Sequence, residues 1–265
     1  MLEILSAQKA DFLWDAVSTG WDFNDVLERN VALAQCRVFF DFDNTISSFD
    51  VLDNLIERFA IDDQWRVLEQ RWQAGEIGSK VCLREQLRSV RAPREQLVDY
   101  LSGIEIDPYF HSILAVLKKA GVHPLIVSDS FNFLIETILK NHDVHGVRIL
   151  ANRLRILGDR LIPSFPYENP ACCSCAHCKT SHLLNEDSLG KVLVYVGDGR
   201  SDYCASMQAH VVFAKDGLAG YLRKKGKKFI EYKNLRDVHN VLKGLLHEKS
   251  GQDQRKVNGS GTLEA

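Results

Sequence analysis

The stretch from Val38 to Thr45 constrains the fold of this chain more than any other. It is a short run of β-branched and aromatic residues that ends in two carboxylates, Asp41 and Asp43, spaced by one residue. An apolar run of this length predicts a buried strand of a parallel sheet. A buried strand needs no paired acids at its carboxyl end unless chemistry occurs there, and open α/β sheets bind their ligands at that edge. The stretch therefore predicts an α/β fold with a site beside Asp41.

Further apolar runs predict the rest of the sheet. We expect strands at 37–40, 122–127, 147–151, 191–196, 211–213 and 229–232, and a hairpin of strands 154–157 and 161–165. Helical patterns separate most of these runs, with one helix beginning near Lys179. Because strands that alternate with helices form parallel sheets, the sequence predicts a doubly wound, Rossmann-like parallel sheet.

A long helical insertion follows the first strand. Apolar residues recur at helical spacing through residues 48–105, which is far more chain than a crossover between parallel strands needs. We interpret it as a helical cap over an α/β core of residues 36–47 and 106–248. Residues 1–35 are predicted to be a helical extension that packs against the core or a second subunit, which allows a homodimer. The polar residues 249–265 are predicted to be a disordered tail.

Charge and hydropathy narrow the class of partner and the compartment. The net charge of −2 gives no reason to expect nucleic acid or an anionic membrane surface as a partner. No apolar run reaches the roughly 18 residues of a membrane span, and the N-terminus lacks a basic segment followed by an apolar signal core. We therefore expect a cytoplasmic protein that binds neither nucleic acid nor membrane.

The cysteines leave a choice open. The chain has seven of them, and an odd number does not indicate the disulfide framework of a small secreted fold. The crowded thiols and a nearby histidine have spacings that zinc tolerates, namely Cys172, Cys173, Cys175, Cys178 and His182. A single Cys-x-x-Cys without a distant partner pair is a weak zinc signal, so we interpret the thiols as reduced loop residues.

Polar residues follow several of the predicted strands or open the next helix. Because parallel strands end at one edge of a sheet, these residues can converge; they are Asp41, Asp43, Ser128, Lys179, Asp198 and Asp202. Carboxylates brought together repel one another and require a cation. An all-oxygen ligand set favours Mg²⁺, which needs few carboxylates beside water and a substrate phosphate. We expect Asp41, Asp43, Asp198 and Asp202 to serve this metal, with Asp202 supporting its surroundings.

The same residues suit phosphoryl transfer. A carboxylate beside a metal and a lysine is a nucleophile for phosphorus, so Asp41 is predicted to form an aspartyl phosphate. Asp43 would protonate the leaving alcohol and then activate the hydrolytic water. Lys179 would supply positive charge to the nucleophile and the phosphate.

Phosphate binding is assigned to the polar end of the next strand. Ser128 and the exposed N–H groups at the start of the following helix would hold phosphate oxygens, a use to which helix N-termini are suited. Ser128 could also simply cap that helix, and both roles are compatible. Asp129 either contributes to phosphate binding or only shapes the loop of Ser128.

The motif set resembles a known superfamily. Asp41-Phe42-Asp43-Asn44-Thr45, Ser128, Lys179 and the run from Gly197 to Asp202 match, in order, the four motifs of haloacid dehalogenase superfamily phosphatases over about residues 37–232. The insertion resembles the cap of the phosphoserine-phosphatase-like branch. Within that branch, the Ser128 and Cys175–Lys179 segments are similar to the methionine-salvage phosphatases acting on hydroxy-ketomethylthiopentenyl phosphate, and to relatives acting on phosphoethanolamine and phosphocholine.

The resemblance implies a Mg²⁺-dependent phosphomonoesterase for a small phosphorylated metabolite. A methionine-salvage-type hydroxyketone phosphate is the first candidate, and phosphoethanolamine, phosphocholine or phosphoserine is the alternative. A phosphotransferase or mutase would share the phosphoenzyme. A catalytically silent scaffold that uses residues 1–35 is the alternative of another class, but it should have lost part of the motif set, which is complete here.

The cap is expected to select the substrate. A cationic head group would need acids or aromatic rings in the cap, whereas a hydroxyketone would need hydrogen-bond donors. The polar candidates in the cap are Glu76, Ser79, Lys80, Arg84, Glu85 and Arg88.

Overall fold

The computed structural model describes residues 33–172, 174–187 and 190–245. Most of the predicted N-terminal extension and all of the predicted tail lie outside these residues. No helix in the described ranges is long and apolar enough to cross a membrane.

A seven-stranded sheet in the order β4-β3-β2-β1-β5-β6-β7 forms the centre of the molecule. Its strands are β1 (Cys36–Phe40), β2 (Leu125–Phe131), β3 (Arg148–Leu157), β4 (Arg160–Ser164), β5 (Val192–Gly197), β6 (Val211–Ala214) and β7 (Ile230–Glu231). All neighbours pair in parallel except β3 and β4. The predicted α/β class is confirmed, with an antiparallel hairpin at one edge of an otherwise parallel sheet.

Four helices form the insertion that follows β1. They are α1 (Val51–Phe59), α2 (Gln64–Gln73), α3 (Ser79–Ser89) and α4 (Arg94–Ser102). Helix α1 begins where the side chain of Asp50 accepts a hydrogen bond from the backbone N–H of Asp53, a normal N-cap. This is the predicted helical insertion.

The remaining helices cover both faces of the sheet. They are α5 (Tyr109–Lys119), α6 (Asn132–Asn141), α7 (Lys179–Asp187), α8 (Tyr203–Gln208), α9 (Asp216–Lys225) and α10 (235–245). In β1, Val38 and Phe40 belong to one buried cluster with residues of α5, α6 and α10, whereas Phe39 belongs to a second with residues of α7, α8 and α9. Alternate side chains of a strand point to opposite faces, so β1 is buried on both sides.

Two strands differ from their predicted bounds by more than one residue at an end. The predicted strand 122–127 is β2, which begins at Leu125 and continues to Phe131 through a register irregularity between Ser128 and Phe131. The predicted strands 147–151 and 154–157 form the single strand β3. Its first half pairs in parallel with β2, and Arg153–Leu157 pairs with β4. The hairpin reaches the cap, since Ala92 N donates to the backbone oxygen of Asp159 at 2.8 Å.

Candidate active site

Three central strands bring the predicted residues to one edge of the sheet. Asp41 follows β1, Ser128 lies in β2, and Asp198 follows β5; β1 pairs in parallel with both neighbours. The N–H of Asp41 donates to the backbone oxygen of Val196 at 2.9 Å, which joins the residue after β1 to the end of β5.

The loop after β1 turns sharply and holds Asp198. Phe42 accepts hydrogen bonds at its backbone oxygen from three successive N–H groups, those of Thr45, Ile46 and Ser47, and Asn44 has φ of 51°. This turn aims Asn44 Nδ2 at one oxygen of Asp198 (2.8 Å) and Thr45 Oγ1 at the other (3.2 Å). Asparagine tolerates the left-handed conformation better than most residues.

Lys179 lies beneath the carboxylates. Its Nζ is 2.9 Å from Asp41 Oδ1 and 2.7 Å from Asp202 Oδ1, and it also donates to Ser201 Oγ at 2.9 Å. Burial disfavours the charged form, but the carboxylates of Asp202 and Asp41 outweigh burial and raise the pKa of Lys179 above its ordinary value. The side chain is a permanent cation under the site.

Asp202 is fully buried and has all its acceptor positions filled. Oδ1 accepts from Lys179 and from the Tyr195 hydroxyl at 2.6 Å, and Oδ2 accepts from the backbone N–H groups of Asp198 (3.0 Å) and Gly199 (3.1 Å). Burial alone would raise the pKa of Asp202, but Lys179 and these hydrogen bonds lower it below its ordinary value. Asp202 therefore fixes the loop after β5 and the lysine together.

The acids form a group that suits a hard cation. One carboxylate oxygen from each of Asp41, Asp198 and Asp202 lies within 4.8 Å of the others. An all-oxygen donor set fits Mg²⁺ or another hard ion. Because the oxygens of Asp202 already accept four hydrogen bonds, Asp41 and Asp198 are the members with acceptor capacity left for an ion.

Asp43, which the sequence also assigned to the metal, lies outside this group. Its Oδ1 accepts from Val51 N at 2.9 Å, at the start of α1. Burial, followed by repulsion from Asp50, raises the pKa of Asp43 well above its ordinary value. A carboxyl group in this setting retains its proton more readily than an exposed aspartate.

The loop assigned to phosphate binding consists of Ser128, Asp129 and Ser130, which line the cavity between the core and the cap. Ser128 is 1% exposed, and its Oγ accepts from the N–H of Ser130 at 3.1 Å. Asp129 also faces the cavity, and burial raises the pKa of its carboxyl to about 6. Near neutral pH this carboxyl is therefore protonated more often than an exposed aspartate.

A cavity of about 470 Å³ lies between the core and the cap. Of the predicted site residues, those that line it are Asp41, Asp43, Ser128, Asp129 and Asp198, whereas Lys179 and Asp202 lie outside the lining. The cap side is lined by residues from α1, α2 and α3 and their ends: Asp50, Leu52, Asp53, Glu69, Trp72, Gln73, Ser79, Cys82, Leu83 and Gln86. The sequence missed the acids and Gln86 in this set.

Most of the polar cap candidates named from the sequence have other partners. Ser79 lines the cavity. The others do not, and they contact residues outside the lining: Glu76 pairs with Arg71, Lys80 with Glu168, Glu85 with Arg88, and Arg84 lies over Phe165. A stronger signal was the acid before the first cap helix, because an N-cap at Asp50 lies close to the strand end that opens the insertion.

The cap contacts the core across the cavity. Arg200 Nη1 donates to the backbone oxygen of Gln73 at 2.9 Å, and its guanidinium lies 5.4 Å from the centre of the Trp72 ring. Nearby, Ser79 N donates to the backbone oxygen of Ser174 at 2.9 Å. These contacts hold the end of α2 and the start of α3 over the site.

The cysteine segment shows no metal geometry in the described residues, which exclude Cys173. Cys172 Sγ lies 3.8 Å from Cys175 Sγ, and Cys178 Sγ accepts from Ser181 Oγ at 3.0 Å. His182 Nε2 instead contacts His177 Nε2 at 2.8 Å. In the same residues, the aspartate group is the one whose ligand atoms are close enough for an ion. Cys172, Cys175 and Cys178 are free thiols.

Comparisons with known proteins agree with this site. A family model described as Putative Phosphatase matches residues 36–221. The 2-hydroxy-3-keto-5-methylthiopentenyl-1-phosphate phosphatase of Exiguobacterium sibiricum is 26% identical over 208 residues, 76% of this chain and 94% of that protein. Phosphoserine phosphatase of Bos taurus is 24% identical over 189 residues, 70% of this chain and 84% of that protein.

A solved structure shares the fold. The phospho-aspartyl intermediate analogue of a phosphoserine phosphatase superposes with a TM-score of 0.59 at 20% identity, covering 78% of this chain and 98% of that chain. The likeness confirms the predicted core with a helical insertion.

Proposed function

This chain belongs to the Putative Phosphatase family, and we propose that it hydrolyses a small phosphorylated metabolite with Mg²⁺ through an aspartyl phosphate on Asp41. The observation that carries the proposal is the contact of Lys179 with Asp41 at 2.9 Å, beside Asp198 and next to the cavity between core and cap. This arrangement supplies a nucleophile, a fixed cation and a place for a metal at one point.

Asp41 attacks phosphorus in this proposal. Its Oδ1 accepts from Phe42 N at 2.7 Å and from Lys179, so Oδ2 is the oxygen assigned to the attack. The bond from phosphorus to the ester oxygen breaks as the bond from Oδ2 to phosphorus forms. Lys179 stays protonated and balances the negative charge that collects around Asp41.

Asp43 moves the protons. It gives its proton to the departing alcohol oxygen and then takes one from a water molecule, whose oxygen attacks the phosphorus of phospho-Asp41. The second step releases inorganic phosphate and restores the carboxylate of Asp41. The raised pKa of Asp43 supports the first step, because a carboxyl group that retains its proton more readily than an exposed aspartate can donate it.

Asp41 and Asp198 would hold the Mg²⁺ ion, which supplies positive charge for the phosphate oxygens. Ser128, which lines the cavity together with Asp41, is assigned to a phosphate oxygen together with the N–H groups near the start of α6. Asp129 is assigned to the same loop, where its protonated form could donate to the phosphate.

The relatives name two kinds of substrate, a hydroxyketone phosphate and phosphoserine. Either is small enough for the cavity, as are phosphoethanolamine and phosphocholine. A catalytically silent scaffold is disfavoured, because the motif residues supply every group that the proposed chemistry needs.

Phosphate release over a panel of phosphomonoesters, with and without Mg²⁺, tests the proposal. We expect Mg²⁺-dependent release that Asp41→Asn abolishes while the melting temperature stays close to that of the wild type. Asp99→Asn is the matched control, since Asp99 is exposed on α4 outside the cavity. Activity of Asp41→Asn near that of the control would contradict the mechanism.

A further inference from the structure

Two thiols in the loop before α7 take no part in the proposed phosphatase mechanism. Cys172 and Cys175 have the Cys-x-x-Cys spacing, and both are partly exposed free thiols. Their Sγ atoms are 3.8 Å apart. A disulfide bond is about 2.05 Å long, so the two sulfur atoms are already neighbours and need to approach by roughly 1.8 Å to become bonded.

The two thiols differ in how readily they lose a proton. A hydrogen bond from the Cys175 thiol, helped by the backbone N–H groups of Ser174 and Cys175, lowers the pKa of Cys172 to about 5 against the effect of burial. Hydrogen bonds to Cys172 and Cys204 raise the pKa of Cys175 above its ordinary value. Near neutral pH, Cys172 is therefore a thiolate beside a protonated Cys175. An accessible thiolate is the form of cysteine that oxidants attack, so Cys172 should react first.

The loop that carries the thiols also contacts the cap. Ser174, which lies between them in the chain, accepts at its backbone oxygen from Ser79 N at 2.9 Å. Ser79 begins α3 and lines the cavity, and its Oγ accepts from Trp72 Nε1 at 2.9 Å. The next residue of the cap, Lys80, pairs with Glu168 of the same loop. A bond between the sulfur atoms on either side of Ser174 would therefore change a segment on which this part of the cap rests.

The thiols influence the cavity through charge as well. Asp129 lines the cavity. Burial is the main cause of the raised pKa of Asp129, and the negative charges of Asp202 and Cys172 add to it. Oxidation of Cys172 would remove one of these charges from the surroundings of the loop assigned to phosphate.

We propose that Cys172 and Cys175 form an oxidation site, which a peroxide converts to a disulfide that lowers the phosphatase activity. The effect on catalysis rests on the proposed function, whereas the formation of the disulfide does not. Contact between the two sulfur atoms, in a loop that carries a cap contact between them, is the juxtaposition that supports the proposal.

The chemistry has two steps. The Cys172 thiolate attacks one oxygen of hydrogen peroxide, the O–O bond breaks, and a sulfenic acid forms while hydroxide leaves and takes a proton from solvent. The sulfur of Cys175 then attacks the sulfur of Cys172, and the S–O bond breaks. The Cys175 proton leaves with the hydroxide as water. The two thiols are oxidised to a disulfide, and the peroxide is reduced to water.

Peptide masses after treatment with hydrogen peroxide test the site directly. Trypsin cleaves after Arg160 and Lys179, so one peptide of residues 161–179 contains both thiols, whereas Cys204 lies in another peptide. With free thiols alkylated before digestion, we expect this peptide to contain one internal disulfide, which dithiothreitol removes. A cross-link between this peptide and that of Cys204 would contradict the proposed pair.

Variants identify the two sulfur atoms. Cys172→Ser and Cys175→Ser should each abolish the internal disulfide. Cys173→Ser is the matched control, because Cys173 lies in the same peptide and is not a member of the pair; this variant should form the disulfide as the wild type does. Persistence of the disulfide in Cys172→Ser or Cys175→Ser would overturn the assignment.

Nitrophenolate release from 4-nitrophenyl phosphate with Mg²⁺ tests the effect on catalysis. After peroxide treatment we expect kcat/KM of the wild type and of Cys173→Ser to fall by about fivefold, which is comparable with the loss of one hydrogen bond between the loop and the cap. Dithiothreitol should restore it. Cys172→Ser should keep its untreated kcat/KM, and an equal loss in this variant would place the damage elsewhere and refute the effect.

The outcomes separate this inference from the proposed function. Absence of the disulfide in an active wild-type enzyme overturns the inference and leaves the phosphatase mechanism standing. A disulfide that leaves kcat/KM unchanged refutes the effect on activity. Absence of Mg²⁺-dependent turnover in the untreated protein over a wide panel of phosphomonoesters overturns the proposed function, and the peptide masses still decide whether the thiols are an oxidation site.

Discussion

Lys179 Nζ donates to Asp202 Oδ1 at 2.7 Å, and both side chains are buried. This contact joins the first residue of α7 to the loop after β5. Removing one partner of such a pair leaves a buried charge without compensation, which typically costs about 3–5 kcal/mol. The geometry of the proposed nucleophile therefore depends on residues that hold Asp202 in place.

Gly197 is one of those residues. A Cβ at this position would lie 2.4 Å from Asp202 Oδ2, and Asp202 cannot move without losing its hydrogen bonds. We expect Gly197→Ala to lower the free energy of unfolding by roughly 2–4 kcal/mol and to reduce phosphatase activity strongly. Urea unfolding and phosphate release measure both effects.

Gly199→Ala is the matched control for stability. A Cβ there meets no atom within 4 Å, and its φ of −127° is open to alanine. Its free energy of unfolding should stay within about 0.5 kcal/mol of the wild type. Equal destabilisation by the two substitutions would show that the contact with Asp202 is not the cause.

Asp43→Asn should separate the two proton transfers. Asparagine keeps an acceptor for Val51 N but cannot donate or accept the catalytic proton. For an alkyl phosphate we expect kcat to fall by about 10²–10⁴. With 4-nitrophenyl phosphate, whose leaving group needs no proton, a burst of about one equivalent of nitrophenolate should precede slow turnover, because hydrolysis of the phosphoenzyme lacks its base. Equal slowing of both substrates without a burst would argue against this role.

Asp198→Asn should weaken Mg²⁺ binding. The substitution removes one of the two carboxylates assigned to the ion, and Asp41 remains. The Mg²⁺ concentration for half-maximal activity should therefore rise by at least about tenfold. Asp216→Asn is the control, because Asp216 also accepts from Asn44 Nδ2, at 3.3 Å, but is not in the carboxylate group. Chelation by EDTA should abolish wild-type activity, and added Mg²⁺ should restore it. A similar Mg²⁺ requirement in both variants would contradict the assignment.

His177 should make stability fall in mild acid. Burial, followed by the charges of His182 and Lys179, lowers its pKa to about 2 from an ordinary value of 6.5. Below pH 6.5 the unfolded chain binds a proton that the folded chain does not, so the free energy of unfolding falls as the pH falls. Between pH 7 and pH 5 the wild type should lose about 2 kcal/mol more than His177→Gln. Urea titrations at both pH values measure this difference, and parallel losses in the two proteins would contradict it.

Local sequence patterns were enough to predict which residues gather at the catalytic edge of the sheet. The apolar run before Asp41, the glycines around Asp198 and the helix that begins at Lys179 are local patterns, and each is present as predicted. The parallel arrangement then brings these residues together, because the carboxyl ends of parallel strands all lie at the same edge of the sheet. The family and the enzyme class follow from these residues.

The cap residues that face the cavity could not be identified in the same way, because tertiary packing places them there. Helical periodicity shows which face of a helix is apolar, but Glu69 and Gln86 face the cavity because α2 and α3 pack at one particular angle over the core. Contacts such as that of Arg200 with Gln73, which are 127 positions apart, fix that angle. Such contacts produce no periodic pattern in the sequence. The catalytic residues could therefore be predicted from local patterns, whereas the acids that line the cap side of the cavity could not.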